Sequence, residues 1–434
     1  MIKRLISPSA LFLLLAFPRP GLAADVSTLT LSQCYALALQ QNESLKIQGE
    51  TVYQFEQRVK DALSAVLPKV DLLYSLFWQD TTGTGSGDGG VGGTLTRSER
   101  PEAKVQLRQP LFSGFREFRA RKGFESEKMR QELVFKRAHL LLYDGIANAF
   151  YTVLRLEQNL SNTQNTLKLT QERIRDLESR VKLGKSRRSE LVSSEAQLAT
   201  LEGQQEVLRG QAASAREALQ YLIGQDVRDR VLADEIPAVP PAAAIETVLA
   251  RAQSRTDLLA LAQDVKTKKL ALKVSRGAVY PTVDVLGNYY LKRVGFQEPI
   301  DWDLLLTVDL PLFRGGADLA SIRLRESELR QAEWELRRAQ REIESVLRRS
   351  HIHLTTALAQ LAAFREAYEK ARESYRLQVE EYRYGLVNNL EVLAALRTLQ
   401  DAKRDLDNTV IDTKLDYLAL QVAVEDIPQI NAPR

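Results

Sequence analysis

The sequence predicts a mainly helical chain in which two long coiled-coil helices, one per internal repeat, stand below four strands that contribute to an oligomeric membrane β-barrel. Three observations predict it: an internal duplication, a proline-free apolar seam at coiled-coil spacing in each copy, and strand-like segments that alternate apolar with polar residues. Composition agrees. Of 434 residues, 44% are hydrophobic and 27% charged, too polar for a bundle of membrane helices and too apolar for a disordered chain.

The duplication orders everything else. Val66-Leu67-Pro68-Lys69-Val70-Asp71 returns as Val279-Tyr280-Pro281-Thr282-Val283-Asp284, an offset of 213. Gln109-Pro110-Leu111-Phe112-Ser113-Gly114 returns as Leu310-Pro311-Leu312-Phe313-Arg314-Gly315, an offset of 201, which also carries Gly184 to Gly385 and Glu190 to Glu391. A glycine-rich insertion of 12 residues at 82–93, found in the first copy alone, accounts for the change of offset and reads as a flexible loop. The predicted organisation is a first repeat at 24–236, a proline-rich connector at 237–241, a second repeat at 242–426 and a tail at 427–434.

The elements follow in chain order. Residues 1–23 hold Lys3-Arg4, an interrupted apolar run over 5–17, Pro18, Pro20 and Gly21-Leu22-Ala23. This is the three-part secretory signal pattern, with cleavage expected after Ala23, and its apolar stretch falls short of the ~20 residues a spanning helix needs. Gln33 precedes Cys34 where a lipoprotein signal wants a small residue, so the exported chain is expected to carry no acyl anchor. Helix is predicted over 31–67 and strands over 71–79 and 104–109. No proline interrupts 111–184, and a seam of Leu156, Leu160, Thr163, Leu167, Thr170, Ile174, Leu177 and Val181 recurs 201 residues on as Ala357, Leu361, Phe364, Tyr368, Ala371, Tyr375, Gln378 and Tyr382. A helix of roughly 73 residues spans about 110 Å at 1.5 Å per residue, too long for a globular domain. Shorter helices are expected over 191–222, 243–280 and 390–424. Two of them end to end match one long helix, so Gly184 and Gly385 become hairpin tips at one end of the molecule.

At the other end, the strands of the second copy fall at 283–291 and 304–310. Leu72, Tyr74, Leu76 and Trp78 form one face of the first strand, and Leu304, Leu306, Val308 and Leu310 one face of the last. Such alternation suits a barrel with a lipid-facing outside and a wet lumen, and Trp78, Tyr289, Tyr290 and Trp302 near strand ends suit an interfacial aromatic girdle. Four strands cannot close, and open edges are not tolerated in hydrocarbon, so the chain must oligomerise. Two copies supply eight strands and three supply twelve; a lumen that passes solutes favours the larger count.

The duplicated unit, the paired L/Y-P-x-V-D and P-L-F-x-G boundaries and Tyr382-Arg383-Tyr384-Gly385 before the second tip resemble the TolC-like outer-membrane efflux proteins, over essentially all of 25–426. The resemblance implies a homotrimer with a 12-stranded barrel in outer-membrane lipid and a periplasmic helical barrel. It also implies docking at the tips to a periplasmic adaptor (membrane fusion) protein and an inner-membrane pump of the RND or ABC type, in efflux or type I secretion. It carries a constriction carboxylate onto Glu391. A second acidic position falls on Ala394, so a trimer would hold one ring of three carboxylates, which concentrates cations and repels anions. It carries a gate tie onto Tyr382 and Glu190, with the assisting basic position falling on Val387. Adaptor-docking tips fall on Lys182, Gly184, Lys185, Arg187, Arg188, Gly385, Asn388 and Asn389.

Other classes fit less well. His351 and His353 are two apart and face different ways on a helix, unlike an i, i+4 metal pair, and the glycine-rich 82–93 lacks a phosphate-binding lysine. With one cysteine, three histidines and two methionines, no disulfide, soft-metal site or cofactor is expected, and no catalytic residue is assigned. The chain holds 60 Lys and Arg against 56 Asp and Glu; Lys3, Arg4 and Arg19 lie in the acid-free leader, so the remainder is nearly neutral and gives no nucleic-acid footprint. A periplasmic coiled-coil adaptor or structural protein is the alternative, but it has no use for duplicated alternating strands.

Overall fold

The computed structural model describes residues 28–79, 99–294 and 297–427. The leader at 1–23, the insertion at 82–93 and all of the tail after residue 427 lie outside the described residues. The chain runs α1 Leu31–Gln41, α2 Glu43–Ser64, β1 Lys69–Trp78, β2 Glu99–Ser113, α3 Arg116–Lys182 and α4 Arg188–Ile223. After the connector come α5 Ile245–Ala250, a 3-10 turn at Arg251–Ser254, α6 Thr256–Gly277, β3 Thr282–Lys292, β4 Trp302–Asp309, α7 Ala317–Arg383 and α8 Asn389–Ala423.

Each long helix has 67 residues, or about 100 Å at 1.5 Å per residue. They begin later than the proline-free run suggests because Gly114, Phe115, Gly315 and Gly316 take positive φ at the strand-to-helix turns. All 16 seam positions are buried or half-buried, since the 3.5-residue repeat keeps that stripe against the partner helices. α3 packs on α2 and α6 towards the strands and on α4 and α8 towards the tip; α7 packs on α6 and α8. No described helix is long and apolar enough to cross a membrane.

Two expected helices are broken. The stretch 31–67 divides at Asn42, whose backbone turns extended (ψ 113°); its N–H closes α1 on Ala38 and its Oδ1 caps α2 at Leu45 N. The stretch 243–280 divides at Arg255, also extended (ψ 138°). The two breaks are 213 residues apart, the repeat offset itself. They turn short helices onto the middle of the long ones, where Leu31, Tyr35, Ile146, Phe150, Tyr151, Leu219 and Ile223 form the largest apolar core. A second core around Leu258, Leu347, Leu354 and Leu420 serves the other copy.

Between these cores, one carboxylate fastens three segments. Asp234, in the connection after α4, accepts from Tyr151 Oη of α3 and from its own neighbour Ile236 N, each at 3.0 Å, and pairs with Lys414 of α8. Lys414 is 6% exposed and Tyr151 fully buried.

The four strands form one antiparallel sheet in the order β1-β2-β3-β4, in which β1 and β4 are the edges. Register puts Leu72, Val105, Tyr289 and Trp302 in one row across it, and Asp71, Gln106, Asn288 and Asp303 in the next.

Candidate functional site

The two helical hairpin tips reverse by the same local chemistry. Gly184 (φ 70°) and Gly385 (φ 75°) hold the left-handed conformation that lets the main chain turn back. Lys185 N–H then bonds Arg180 O and Leu386 N–H bonds Glu381 O, the six-to-one closure of a Schellman motif. After the second tip, Asn388 caps α8: its Oδ1 accepts Leu390 N–H at 2.9 Å and Glu391 N–H at 3.2 Å, while its Nδ2 donates to Glu391 Oε1 at 3.0 Å. Glu391 is therefore held, exposed, in the first turn of α8, where the helix dipole favours its charge.

The hairpins are joined by a small core of Leu177, Tyr382 and Val392. The Tyr382 ring lies between two guanidiniums, with Arg173 at 3.9 Å and Arg180 at 4.8 Å from its centroid. Its hydroxyl meets Ser186 Oγ at 3.0 Å. Arg173 also donates to Asn389 Oδ1 from Nε (3.0 Å) and Nη2 (2.8 Å), and Asn389 Nδ2 donates to Ser194 Oγ at 3.3 Å. Glu190 contributes its main-chain carbonyl, which accepts from Ser194 Oγ at 3.0 Å. Burial pulls the Arg173 guanidinium below its ordinary pKa, and the aromatic face of Tyr382 and the amide oxygen of Asn389 take the place of the water it has lost.

The sheet supplies the other half of the site. Val70, Leu72, Tyr74, Leu304, Leu306 and Val308 are all at least 60% exposed on one face, an apolar surface too large and continuous to face water. On the opposite face, Gln106 Nε2 donates to Asn288 Oδ1 at 2.9 Å, Asn288 Nδ2 to Asp303 Oδ1 at 2.8 Å, and Tyr290 Oη to Asp303 Oδ2 at 2.7 Å.

Of the residues singled out in the sequence, Trp78, Tyr289 and Trp302 lie exposed on the apolar face, with Tyr289 and Trp302 directly opposite each other. Tyr290 does not join them. Side chains alternate along a strand, so it falls on the polar face, bonded to Asp303 and covered by Arg293. Lys182, Gly184, Lys185, Arg187, Arg188, Gly385 and Asn388 are exposed at the tips. Asn389 does not share their exposure: at 1% it points between the hairpins and is bonded to Arg173 and Ser194. The sequence reading missed Arg173. Its one signal is an arginine beside the seam residue Ile174, where a solvated charge would have been equally acceptable.

Arg173→Ala is expected to leave the chain folded but loosen the tip. It strips a buried amide oxygen of charged donors, a loss of about 2 kcal/mol, or roughly thirtyfold in local opening. Hydrogen exchange of the amides around 177–190 should speed up by that factor, with no change in Arg175→Ala, whose side chain is exposed.

The family described as Outer membrane efflux protein matches residues 34–225 and 249–424. The outer membrane protein TolC of Vibrio cholerae is 23% identical over 232 residues, 50% of this chain and 53% of that protein. The outer membrane protein OprJ of Pseudomonas aeruginosa is 22% identical over 204 residues, 43% of this chain and 41% of that protein. The matched part thus spans about half the length of these relatives. In three dimensions, the outer membrane protein VceC of Vibrio cholerae superposes with a TM-score of 0.79 over 91% of this chain and 95% of that one, at 18% identity. That likeness extends the repeated helix–strand–strand–helix plan over nearly the whole molecule. The chain is a Gram-negative outer-membrane protein and belongs to the outer membrane efflux protein family.

Proposed function

We propose that three copies of this chain form a passive exit duct, with twelve strands closed in the outer membrane and the helices continued as a periplasmic barrel. The observation that carries this reading is the pairing of opposite ends. An exposed apolar sheet face stands at one end of helices about 100 Å long, and a charged, tightly fastened tip stands at the other. Lipid suits the first and a protein partner the second.

The basic tip residues Lys182, Lys185, Arg187 and Arg188 would meet a periplasmic adaptor, and an inner-membrane pump of the RND or ABC type would supply energy. The Glu391 carboxylates of three copies would ring the narrow end and favour cations. The fastening of Tyr382 between Arg173 and Arg180, with Ser186 on its hydroxyl, would hold the tip closed until adaptor binding favours another arrangement. Recording from the purified protein in a planar bilayer tests the duct: small, cation-selective unit conductances are expected, and an oligomer that inserts no channel would sink the reading.

A further inference from the structure

Directly below the sheet, where β2 passes into α3 and α6 into β3, the helical wall contains a cavity of about 500 Å³, within the ~300–1,000 Å³ usual for ligand pockets. Four helices line it. Phe55 of α2, Ala120 and Phe124 of α3, and Ala271 and Val274 of α6 form its apolar wall. Three guanidiniums, Arg116, Arg119 and Arg325, and one carboxylate, Glu127, supply its charge. Two of these four are already neutralised: Glu127 pairs with Arg130 at 2.6 Å and Arg325 with Glu328 at 2.9 Å. Arg116 and Arg119 meet main-chain carbonyls instead, and neither forms an ion pair among the described residues. Arg116 Nε donates to Ser113 O at 2.9 Å, and Arg119 Nη1 donates to Lys273 O at 2.9 Å and Gly114 O at 3.4 Å. A guanidinium carries five N–H donors, so most of theirs remain for a ligand.

Three aromatic residues mark the outward side of α3 and its turn. Phe112 is paired with Val283, which shares the apolar strand face with Tyr289; it packs edge-on against Phe115 at 5.1 Å, and Phe118, three residues on, is exposed. At about 3.6 residues per turn, Ala120, Phe124 and Glu127 lie on the opposite side of that helix. α6 divides the same way: Lys266, Lys269, Lys273 and Arg276 are exposed along one side, and Ala271 and Val274 lie on the other. The cavity therefore opens on the side that continues the polar face of the sheet, which in the duct is the lumen. The duplication does not require it. Forward by 201, Arg116, Arg119 and Phe124 become Ala317, Ala320 and Arg325; back by 213, Ala271 and Val274 become Arg58 and Asp61. The repeat tolerates polar residues where the cavity is apolar, so its lining and its spare cations belong to the first junction alone.

We infer that this cavity seats an amphipathic anion in transit: an apolar chain of fatty-acid size lies against Phe55, Phe124 and Val274, and a carboxylate, sulfate or phosphate head meets Arg116 and Arg119. This rests on the duct reading for the side the cavity faces, and goes beyond it by naming a class of solute and a seat for it. Charge complementarity selects the class. An amphipathic cation would meet two uncompensated guanidiniums, and a small inorganic anion would leave the apolar wall uncovered. Guanidinium bonds to carboxylate or phosphate are among the stronger hydrogen bonds, because both partners are charged. Three copies would set three such seats at the threshold between the helical barrel and the strands.

Equilibrium dialysis of radiolabelled dodecanoate against the purified oligomer in nanodiscs of zwitterionic phosphatidylcholine, with empty discs as the blank, tests the seat. Saturable binding of about one molecule per chain is expected, about tenfold or more tighter than that of dodecyltrimethylammonium, a cation of the same chain length. Arg116→Gln with Arg119→Gln should abolish the preference for the anion without weakening the cation. Ala271→Phe, which fills the cavity, should weaken both, each variant being checked for native oligomeric mass. No saturable binding, or binding that survives both the arginine pair and Ala271→Phe, overturns the seat. Displacement of dodecanoate by phosphatidylglycerol built into the disc overturns it too, since the cavity would then hold a bilayer lipid. Unit conductances recorded from the same preparation separate this test from the duct: channels without binding sink the seat alone, and arginine-dependent binding without channels sinks the duct reading and leaves the seat.

Discussion

Gly114→Ala is expected to abolish assembly of the heat-resistant oligomer. A Cβ at this position would sit 2.3 Å from the carbonyl oxygen of Gly277 and 3.1 Å from Tyr280 Cβ. The first is backbone, so no rotamer change relieves it; the end of α6 would have to move off the turn between β2 and α3. The residue also holds φ at 69°, which costs an alanine about 1–2 kcal/mol before any clash. Overpacking adds roughly 1–3 kcal/mol, repeated in each subunit. Electrophoresis of membrane extracts without boiling checks it: wild type should run as an oligomer and Gly114→Ala as unfolded monomer. Gly277→Ala should be milder. Its closest approach is 2.6 Å to Arg116 Cγ, a flexible side chain, although the Gly114 carbonyl at 3.0 Å still has to yield.

Asp234→Ala should be the most damaging change at mid-height. It removes the acceptor of the Tyr151 hydroxyl and the Ile236 N–H, and it leaves the Lys414 ammonium buried without its counter-charge. Breaking one side of a buried ion pair costs about 3–5 kcal/mol, because the charge left behind has lost water and partner together. The expected result is a large fall in the temperature at which the oligomer dissociates and unfolds. Adding Lys414→Met to Asp234→Ala should restore much of the loss, since a methionine fills similar space without a charge to solvate. If the double variant is as unstable as Asp234→Ala alone, the penalty lies in the Tyr151 and Ile236 contacts and not in the stranded ammonium.

The parts of the fold that sequence made legible are those with a long period. The seam from Leu156 to Val181, repeated from Ala357 to Tyr382, marks both long helices because a stripe maintained over so many turns has one structural explanation. Strand alternation was legible for the same reason at period 2, and the glycines at 184 and 385 marked the reversals. The breaks at Asn42 and Arg255 were less legible. Asn42-Glu43 is an ordinary capping pair within an apolar pattern that continues through it, and Arg255 carries no capping side chain at all. Arg255 stands there because its guanidinium reaches the Ala423 carbonyl at 2.7 Å and Asp257, contacts between residues far apart in the chain or specific to a turn. Their shared spacing of 213 was the available signal.

At the tip, sequence located the right turns but not the way they are fastened. Asn389 was read as a residue of the exposed tip, whereas it is buried between the hairpins; Tyr382, read as a seam residue and a tie to Glu190, is buried there with its hydroxyl on Ser186 Oγ. Whether a polar residue near a helix end faces solvent or a neighbouring hairpin depends on a packing angle that a single-helix pattern does not contain. Tyr290 was misplaced for a simpler reason: adjacent aromatics on a strand cannot share a face, and its neighbour Tyr289 holds the apolar one.

The measurement that tests the central claim most directly is single-channel recording of the purified trimer in a planar bilayer, with wild type beside Glu391→Ala and both checked for native mass. A duct narrowed at the tip by one ring of carboxylates predicts a small, cation-selective conductance for wild type and a clear loss of that selectivity when the ring is removed. An intact trimer that forms no channel, or one whose selectivity is unchanged by Glu391→Ala, would contradict the account, the first at the duct and the second at its constriction.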